Sequence, residues 1–402
     1  MNIKCKWMGI ELSTPCIMAS LTLMSNTNLN KQIDYYLKAL EYGAGAIILP
    51  STNPQPNVQK SNSIVSCLPI NTGISKNSNM AFSVLGKTTN LPSLEYSIKL
   101  ANTLTKKSNG QPIIASISNL GTEKDILTAI EQLSQTGIKG IELNFSCPNI
   151  IIQNDSKTSP SIQFLRTARR KTHLPLSLKL TPYENHNQLL SEINGEIDSV
   201  TLSNAYLGLI PPDTNTKKFS PFKDFETWSP SGIYGPFEKL LTYYKLYSTE
   251  NLINDKKLEI ACVGGLINST DILQAILLGA DVVQISSGIA WNGIQCFSQI
   301  NKELCTYLNE NNIKSITEIK GQALSSIVNN VDVATKIQSH KMKVNTNLCK
   351  KCIPCKCCEK LCIAISQDVN YNVLIDEELC SGCGWCSFNC PKEIYYIPFI
   401  YI

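Results

Sequence analysis

The stretch EKDILTAIEQLSQTGIKGIELNFS, residues 123–146, contains one complete structural unit of the chain. Its first part, 123–137, has apolar residues at spacings of three and four and ends in glycine, which is typical of an amphipathic helix and its carboxyl-terminal cap. Its second part, 140–146, is a short apolar run of the kind that forms a buried strand. The stretch therefore predicts a helix followed by a strand, and the same pattern recurs elsewhere.

The pattern recurs across residues 16–310. The predicted strands are 16–20, 44–49, 112–118, 140–146, 175–181, 199–204, 259–265 and 281–287. Helix-like stretches lie between them, among them 31–43, 94–108, 123–137, 160–172 and 269–280. Strands that alternate with helices give an α/β fold with a parallel sheet buried on both faces, and eight strands are the number that closes a TIM barrel. We predict the barrel; an open, doubly wound sheet is the alternative.

Two insertions and a tail complete the organisation. Residues 50–92 and 206–235 each follow a predicted strand, so in a barrel both would lie at the carboxyl-terminal face, where active sites are built. Residues 313–330 are predicted as a last helix and 331–348 as a polar linker. The expected domains are a barrel over 1–330 and a small domain over 349–402.

Composition and charge exclude several classes of protein. The chain has 402 residues, 43% hydrophobic and 17% charged, which excludes a disordered chain. A net charge of +4 is too small to indicate a surface for nucleic acid or anionic lipid. No apolar stretch suits a membrane helix, and the N-terminus is too polar for a secretory signal. Because cysteines are concentrated in the tail rather than spread as a disulfide framework, we expect a reducing, cytoplasmic location.

Ten of the 17 cysteines lie after residue 348, and eight of them form two copies of one motif. Each copy reads C-x2-C-x2-C-x3-C, in which three thiolates bind one [4Fe–4S] cluster and the fourth binds the other cluster of a two-cluster ferredoxin. The eight proposed ligands are Cys352, Cys355, Cys358, Cys362, Cys380, Cys383, Cys386 and Cys390. By this crossed rule, Cys390 completes the first set of three and Cys362 completes the second. A zinc site is the alternative, although zinc motifs usually separate two C-x2-C pairs by a longer loop.

Candidate functional residues lie in or directly after the fourth and fifth predicted strands. The fourth runs into Asn144, Ser146, Cys147 and Asn149, which would present a thiol for proton exchange between amides that donate and accept hydrogen bonds. Lys179 lies in an apolar run of the fifth strand, where an ammonium is costly unless it meets an anion or an electron-rich ring. These residues predict an active site at the carboxyl ends of the strands.

The seventh and eighth predicted strands end in small residues. Gly264 and Gly265 follow the seventh, and Ser286 and Ser287 follow the eighth, where TIM barrels often bind phosphate through backbone N–H groups. No G-x-G-x-x-G motif follows a predicted strand, so the sequence predicts no dinucleotide site of that type.

Several motifs together resemble those of a known family. They are ASL at 19–21, LNFSCPN at 143–149, LKLTPY at 178–183, SN at 203–204, SGIYGP at 231–236, VGG at 263–265 and QISSG at 284–288. They resemble the FMN-dependent dihydroorotate dehydrogenases of class 1. With the two-cluster tail, the chain is most similar to the branch that contains the FMN and iron–sulfur catalytic subunit of NAD-dependent dihydropyrimidine dehydrogenase.

The resemblance implies a role for each matched residue. Cys147 would exchange a proton with C5 of a pyrimidine while a hydride passes between C6 and flavin N5, and Lys179 would lie against the flavin N1/O2 edge. The implied flavin contacts are Ser20, Asn119, Asn144, Lys179, Asn204, Gly232, Gly264, Gly265, Ser286 and Ser287. The implied substrate contacts are Asn90, Asn144, Asn149 and Asn204.

Two places depart from the family pattern. Pro50 stands after the second strand, where the family usually has a lysine that touches flavin and substrate. The loop that binds dihydroorotate has no clean match within residues 71–90, and Asn90 is its nearest candidate. Because the carboxylate of dihydroorotate is expected to meet that loop, a pyrimidine without this carboxylate is favoured.

The resemblance predicts an oxidoreductase acting on a CH–CH group, which reduces the C5–C6 bond of uracil or thymine or runs the reverse reaction. Electrons would pass between FMN and two [4Fe–4S] clusters, with an NAD(P)H-oxidising flavoprotein subunit or a ferredoxin as partner. The alternatives are a dihydroorotate dehydrogenase that uses the clusters as its electron outlet, a non-catalytic electron-transfer subunit, and the same scaffold with another substrate, such as a tRNA base. Class 1 relatives are often dimers, so a homodimer or hetero-oligomer is expected.

Overall fold

The computed structural model describes residues 2–21, 28–56, 91–146, 159–209, 212–217, 230–253, 257–328, 341–349, 362–388, 390 and 394–396, and the backbone of two further strands at 65–70 and 80–85. The chain forms two compact units, Met1–Ser325 and Ser326–Ile402. None of the helices among these residues is both long and apolar enough to cross a membrane.

The secondary structure alternates over most of the first unit. The strands are β1 (Cys5–Trp7), β2 (Ile10–Leu12), β3 (Cys16–Met18), β4 (Ile47–Ile48), β5 (Val65–Ile70), β6 (Met80–Leu85), β7 (Ile113–Ser118), β8 (Gly140–Asn144), β9 (Leu176–Lys179), β10 (Ser199–Leu202), β11 (Tyr206–Gly208), β12 (Ser231–Tyr234), β13 (Glu259–Cys262), β14 (Val282–Ile285), β15 (Lys343–Val344), β16 (Ile365–Gln367), β17 (Val373–Ile375) and β18 (Tyr395–Tyr396). The α-helices are α1 (Leu29–Glu41), α2 (Leu94–Lys107), α3 (Glu123–Leu133), α4 (Ile162–Lys171), α5 (Asn187–Glu192), α6 (Lys239–Ile253), α7 (Ser269–Leu277), α8 (Ser287–Asn292) and α9 (Cys296–Glu310). Short 3-10 helices lie at Pro236–Glu238, Ile316–Ile319, Leu324–Ser326 and Trp385–Phe388.

Eight of these strands close into a parallel barrel. Their order around the barrel is β3, β4, β7, β8, β9, β10, β13 and β14. The barrel closes where β14 pairs with β3, with Val283 opposite Cys16 and Ile285 opposite Met18. The predicted TIM barrel is confirmed, and the alternative of an open sheet is wrong.

The unit at 123–146 illustrates how the local sequence forms these elements. The Thr122 side chain caps α3 by accepting from the N–H of Asp125, whose carboxylate accepts from the N–H of Thr122 in return. The helix then buries Ile126, Ile130 and Leu133 on one face. All residues of β8 are buried as well, because helices cover the outside of the barrel and side chains fill its inside.

The hairpin of β1 and β2 closes the amino-terminal end of the barrel. Trp7 is fully buried, and its indole N–H donates to Ser199 Oγ at the start of β10, at 2.8 Å. The backbone N–H of Met8 donates to the carboxylate of Glu259 at the start of β13. Hairpin side chains and barrel-strand side chains form one apolar cluster here, which consists of Cys5, Trp7, Met8, Leu12, Ile17, Ala46, Ile48, Ile114, Ala261 and Val282.

The two insertions join in one sheet. Strands β5 and β6 come from the first insertion, β11 and β12 from the second, and they form a four-stranded antiparallel sheet in the order β11, β12, β6, β5. The link between the insertions is the pairing of Ile233 with Phe82 and of Tyr234 with Ala81. Segments that are distant in the chain are therefore held together beyond the strand ends that they follow.

The predicted last helix over 313–330 is wrong for its described part. Residues 313–328 contain only the two short 3-10 helices, on either side of Gly321 at φ +71°. The backbone N–H groups of Gly321 and Ala323 donate to the carbonyls of Ile276 and Leu277 at the end of α7, at 2.9 and 3.0 Å. These two N–H groups therefore do not make the bonds to the carbonyl four residues earlier that a continuous α-helix would need.

The second unit contains two antiparallel pairs, β15 with β18 and β16 with β17. Its core consists of Met342, Ala364, Ile365, Val373, Cys380, Cys386, Ile394 and Tyr395. Because Lys343 and Val344 pair with β18, this part of the predicted linker belongs to the fold of the second unit; 331–340 lie outside the described residues.

We expect Trp7→Ala to lower the free energy of unfolding by about 3 to 5 kcal/mol. The change leaves a cavity beneath the hairpin and removes the indole N–H that donates to the buried hydroxyl of Ser199. Lys6→Ala is the matched control, because Lys6 lies in the same strand and its ion pair with Glu11 is in solvent. The control should lose less than about 1 kcal/mol. Chemical denaturation followed by circular dichroism measures both, and equal losses would contradict a sealing role for Trp7.

Candidate active site

A chain of hydrogen bonds joins polar side chains at the carboxyl ends of neighbouring strands. The hydroxyl of Ser51 pairs with that of Ser116 at 2.8 Å and accepts from Asn144 Nδ2 at 3.0 Å. Asn144 Oδ1 accepts from Ser146 Oγ at 2.9 Å, and Asn204 Nδ2 donates to Ser146 Oγ at 3.1 Å. We call these five residues the polar ring. Because both amides are held in one orientation, a ligand above them meets a fixed pattern of donors and acceptors.

Below the polar ring, the barrel interior is also polar. Side chains alternate along a strand, so Glu142 lies on the same face of β8 as Asn144, one layer deeper. Glu142 is fully buried, and its Oε2 accepts from Thr201 Oγ1 at 2.9 Å and from Gln284 Nε2 at 2.7 Å. Among the described residues, Glu142 Oε1 and Gln284 Oε1 have no hydrogen-bond partner. This layer ties β8, β10 and β14 together beneath the site.

Lys179 ends β9 beside Asn144 in the register of the sheet. It is 5% exposed, and its side chain makes no hydrogen bond or ion pair with any described residue. A buried ammonium without an acceptor is costly, so the place above Lys179 suits an anion or a polarisable ring. The sequence predicted this location for Lys179 from its apolar surroundings.

A buried carboxyl that the sequence did not single out follows the second insertion. Glu238 ends the 3-10 helix Pro236–Glu238 and is 3% exposed, and its Oε1 accepts from the backbone N–H of Tyr206 at 3.3 Å. Burial raises the pKa of Glu238 to about 8, although the backbone N–H groups of Tyr206 and Gly235 and the charge of Lys179 act to lower it. The available signal was an acid inside the apolar stretch GPFEKLL.

The glycines after β13 allow a close backbone contact. A Cβ on Gly265 would lie 2.6 Å from the backbone N of Lys239 and 2.7 Å from the carbonyl O of Gly235. A Cβ on Gly264 would lie 2.4 Å from Thr242 Oγ1. The turn after β13 therefore packs directly on the turn that carries Glu238, and the phosphate role of these glycines stays a prediction.

The other predicted flavin contacts lie on several elements. Ser20 Oγ lies 3.3 Å from Ser51 Oγ, which adds Ser20 to the edge of the polar ring. Asn119 directly follows β7, Gly232 lies in β12, and Ser286 and Ser287 lie at the start of α8. Three of the predicted catalytic and substrate-binding residues lie outside the described residues: Asn90, Cys147 and Asn149.

Four of the proposed cluster ligands lie within electrostatic reach of one another. Burial raises the pKa of the Cys386 thiol, and the charges of Cys383, Cys362 and Cys380 raise it further. These are the four cysteines that the crossed rule assigns to one cluster. Cys390 packs against the same core. The other three, Cys352, Cys355 and Cys358, lie outside the described residues.

Within the described part of the chain, no three Cys, His, Asp or Glu side chains are close enough together to hold a single metal ion.

The buried carboxyl of Glu238 makes stability depend on pH. Its pKa is raised in the folded chain, so the folded state keeps a proton that the unfolded state loses, and stability falls as the pH rises from about 5 to about 8. Glu238→Gln removes this dependence. Over that interval, the free energy of unfolding of the variant should rise relative to that of the wild type by up to about 1.4 kcal/mol per pH unit. Thermal unfolding at several pH values measures the difference, and parallel curves for the two proteins would contradict it.

Comparison with known proteins extends these observations. The family model described as dihydroorotate dehydrogenase matches residues 3–308, and that described as 4Fe-4S binding domain matches residues 373–396. The dihydroorotate dehydrogenase B (NAD(+)) catalytic subunit of Thermococcus kodakarensis is 25% identical, covering 79% of this chain and 96% of the relative. The NAD-dependent dihydropyrimidine dehydrogenase subunit PreA of Escherichia coli is 26% identical, covering 67% of this chain and 66% of the relative.

The two matches agree with the two units of the structure. The first spans the closed barrel with its polar ring and buried lysine, and the second covers the second of the two cysteine motifs, so the predicted ferredoxin-like region is confirmed. The relatives are oxidoreductases that act on CH–CH groups. The chain therefore belongs to the dihydroorotate dehydrogenase family, in its class 1, and combines the FMN-dependent barrel of that family with an iron–sulfur domain.

Proposed function

We propose that the protein reduces the C5–C6 double bond of uracil or thymine, with electrons passing between FMN and two [4Fe–4S] clusters. The observation that carries the proposal is the presence in one chain of the family barrel and a 4Fe-4S domain. Similarity to a subunit named for dihydropyrimidine dehydrogenase supports it. The absence of a clean match to the dihydroorotate loop within residues 71–90 supports a substrate without a carboxylate.

The residues at the mouth of the barrel fit FMN, which the family implies. Lys179 offers a buried positive charge with no partner among the described residues, where it would stabilise negative charge at one edge of the ring. Asn144 and Asn204 offer amides whose orientation is already fixed by the polar ring. When bound, FMN supplies the exchange between two-electron chemistry at carbon and one-electron transfer to the clusters.

The proton in this proposal belongs to Cys147. It directly follows Ser146 of the polar ring in the chain. Its Sγ would give a proton to C5 of the pyrimidine, while Asn149 and Asn90 would contact the substrate. Because the barrel interior below is closed by the Glu142 layer, water would reach this side of the substrate only from the mouth.

The electron route is proposed through both cysteine motifs. The set Cys362, Cys380, Cys383 and Cys386 would bind one cluster, and Cys352, Cys355, Cys358 and Cys390 the other. Since a cluster carries one electron at a time, a partner protein is needed to exchange electrons with a soluble two-electron donor. We propose an NAD(P)H-oxidising flavoprotein subunit, or a ferredoxin, which agrees with a relative that is named as a subunit of an NAD-dependent enzyme.

A second candidate is oxidation of dihydroorotate with the clusters as electron outlet. Its support is the relative named dihydroorotate dehydrogenase B, which this chain matches over 96% of that relative's length. Anaerobic assays with a one-electron dye separate the candidates. Turnover of dihydrouracil without turnover of dihydroorotate supports the first, and the reverse supports the second.

We expect Cys147→Ala to lower the rate of uracil reduction by at least about 100-fold, because the step loses its proton donor. The flavin absorbance and iron content should be unchanged. Cys262→Ala is the matched control, since Cys262 is a fully buried thiol of β13, and it should retain the rate. Full activity in Cys147→Ala would overturn the assigned proton transfer.

Iron analysis tests the number of clusters. Anaerobically purified protein should contain about eight iron atoms per chain, and Cys383→Ala should contain about four if one cluster is lost. Cys349→Ala is the control, because Cys349 packs on the same core without belonging to either motif. About four iron atoms in the wild type would contradict a two-cluster domain.

A further inference from the structure

Ser51 is a buried member of the polar ring to which the proposed reaction assigns no role. Its hydroxyl meets three other side chains. Ser116 Oγ lies at 2.8 Å, Asn144 Nδ2 at 3.0 Å and Ser20 Oγ at 3.3 Å. A hydroxyl donates one proton and accepts with two lone pairs, so these three contacts use its whole capacity. The direction of each bond can therefore be worked out from the groups around it.

The orientation of the Asn144 amide is fixed by a backbone group. The backbone N–H of Ser146 lies 3.3 Å from Asn144 Oδ1, and a backbone N–H can only donate. The atom that faces it is therefore the carbonyl oxygen of the amide, which also accepts from Ser146 Oγ at 2.9 Å. The amino group of Asn144 consequently faces Ser51, and Ser51 must meet it with a lone pair.

A second backbone group fixes the direction of the bond between Ser51 and Ser20. Ser20 Oγ lies 2.8 Å from the carbonyl oxygen of Leu49, which can only accept, so the Ser20 proton is used there. Ser20 therefore faces Ser51 with its lone pairs and can accept the proton of Ser51. The proton of Ser51 then has an acceptor on the side away from Asn144.

Ser116 completes a chain of hydroxyls that runs in one direction. It is fully buried, and Ser51 is the only partner of its hydroxyl among the described residues. If Ser51 donated to Ser116, the Ser116 proton would have no acceptor within this part of the chain, which is costly for a buried group. When Ser116 donates to Ser51 and Ser51 to Ser20, every proton has an acceptor. Ser51 then accepts from both Ser116 and Asn144.

We propose that Ser51 is a positioning residue, whose hydroxyl oxygen holds the amide of Asn144 in place for a ligand. One N–H of Asn144 is bound to Ser51, and the second has no partner among the described residues, so it is available to an acceptor on the ligand. Without the Ser51 oxygen, the first N–H would be buried without an acceptor. The effect on ligand binding rests on the proposed function, in which Asn144 contacts flavin and substrate, whereas the effect on the amide does not.

Three variants separate positioning from packing. Ser51→Ala removes the oxygen, and Ser51→Thr keeps it while adding one methyl group. Ser118→Ala is the matched control, because Ser118 is a fully buried serine of β7 whose hydroxyl donates to the carbonyl oxygen of Thr52, at 2.9 Å, rather than to the polar ring. Ser51→Ala and Ser118→Ala each remove one buried hydroxyl, so any difference between them reports the contact with Asn144.

The first measurement follows the Asn144 amide itself by nuclear magnetic resonance and needs no substrate. In full-length protein isotope-labelled at asparagine, the amino signal of Asn144 is assigned by its loss in Asn144→Asp. The proton bound to Ser51 should move upfield in Ser51→Ala, because it loses its acceptor, and should keep its shift in Ser51→Thr and Ser118→Ala. An Asn144 signal that is the same in Ser51→Ala as in the wild type would overturn the proposal.

The second measurement follows ligand binding. Flavin-loaded protein is titrated with uracil, and the change in flavin absorbance gives the Kd. This Kd should rise about tenfold in Ser51→Ala, the effect of one lost hydrogen bond, and by less than about twofold in Ser51→Thr and Ser118→Ala. An equal Kd in Ser51→Ala and the wild type contradicts the positioning role. A wild type that does not bind uracil overturns the proposed function instead, and the amide signal still decides the role of Ser51.

Discussion

The hydrogen bonds that Glu142 accepts from Thr201 and Gln284 connect three strands across the inside of the barrel. Such a layer is stable only in a closed barrel, because the strands that supply its members are not neighbours in the chain. An open sheet would leave a fully buried carboxylate without these donors, at the cost of an unpaired charge. Closure of the barrel is therefore the constraint from which the position of every site residue follows.

The two ends of the barrel differ in chemistry because of what closes each of them. At the amino-terminal end, the β1–β2 hairpin seals the interior with apolar side chains around Trp7. At the carboxyl-terminal end, the polar ring and Lys179 face the insertions, whose strands combine into one sheet. One end contributes stability, and the other keeps polar groups oriented for a ligand at a cost in stability.

The described part of the site contains one buried lysine and one buried acid, Lys179 and Glu238. Pro50 is buried after β4. Among the last residues of the eight barrel strands, Lys179 is the only charged one. Glu238 then supplies an acid from the turn after β12. With one cation and one acid of raised pKa, the charge of the site depends on pH near neutrality, whereas two lysines would keep it positive.

Local patterns were sufficient for much of the fold and for part of the site. Apolar periodicity identified the barrel strands and the helices between them, and the strand ends located Asn144 and Lys179, because inside and outside alternate along a strand. The pattern failed over 313–328, where bonds to the end of α7 replaced a helix. The pattern also could not show that Ser51 belongs to the polar ring, because its hydrogen-bond partners lie on β7 and β8.

Spacing within short segments was enough to predict the barrel and the iron–sulfur domain. The shared sheet of the two insertions and the burial of Glu238 became visible only in the folded chain. The turn that carries Glu238 packs against Gly265, and no spacing along the chain encodes this packing, because the two turns meet only after the barrel has closed.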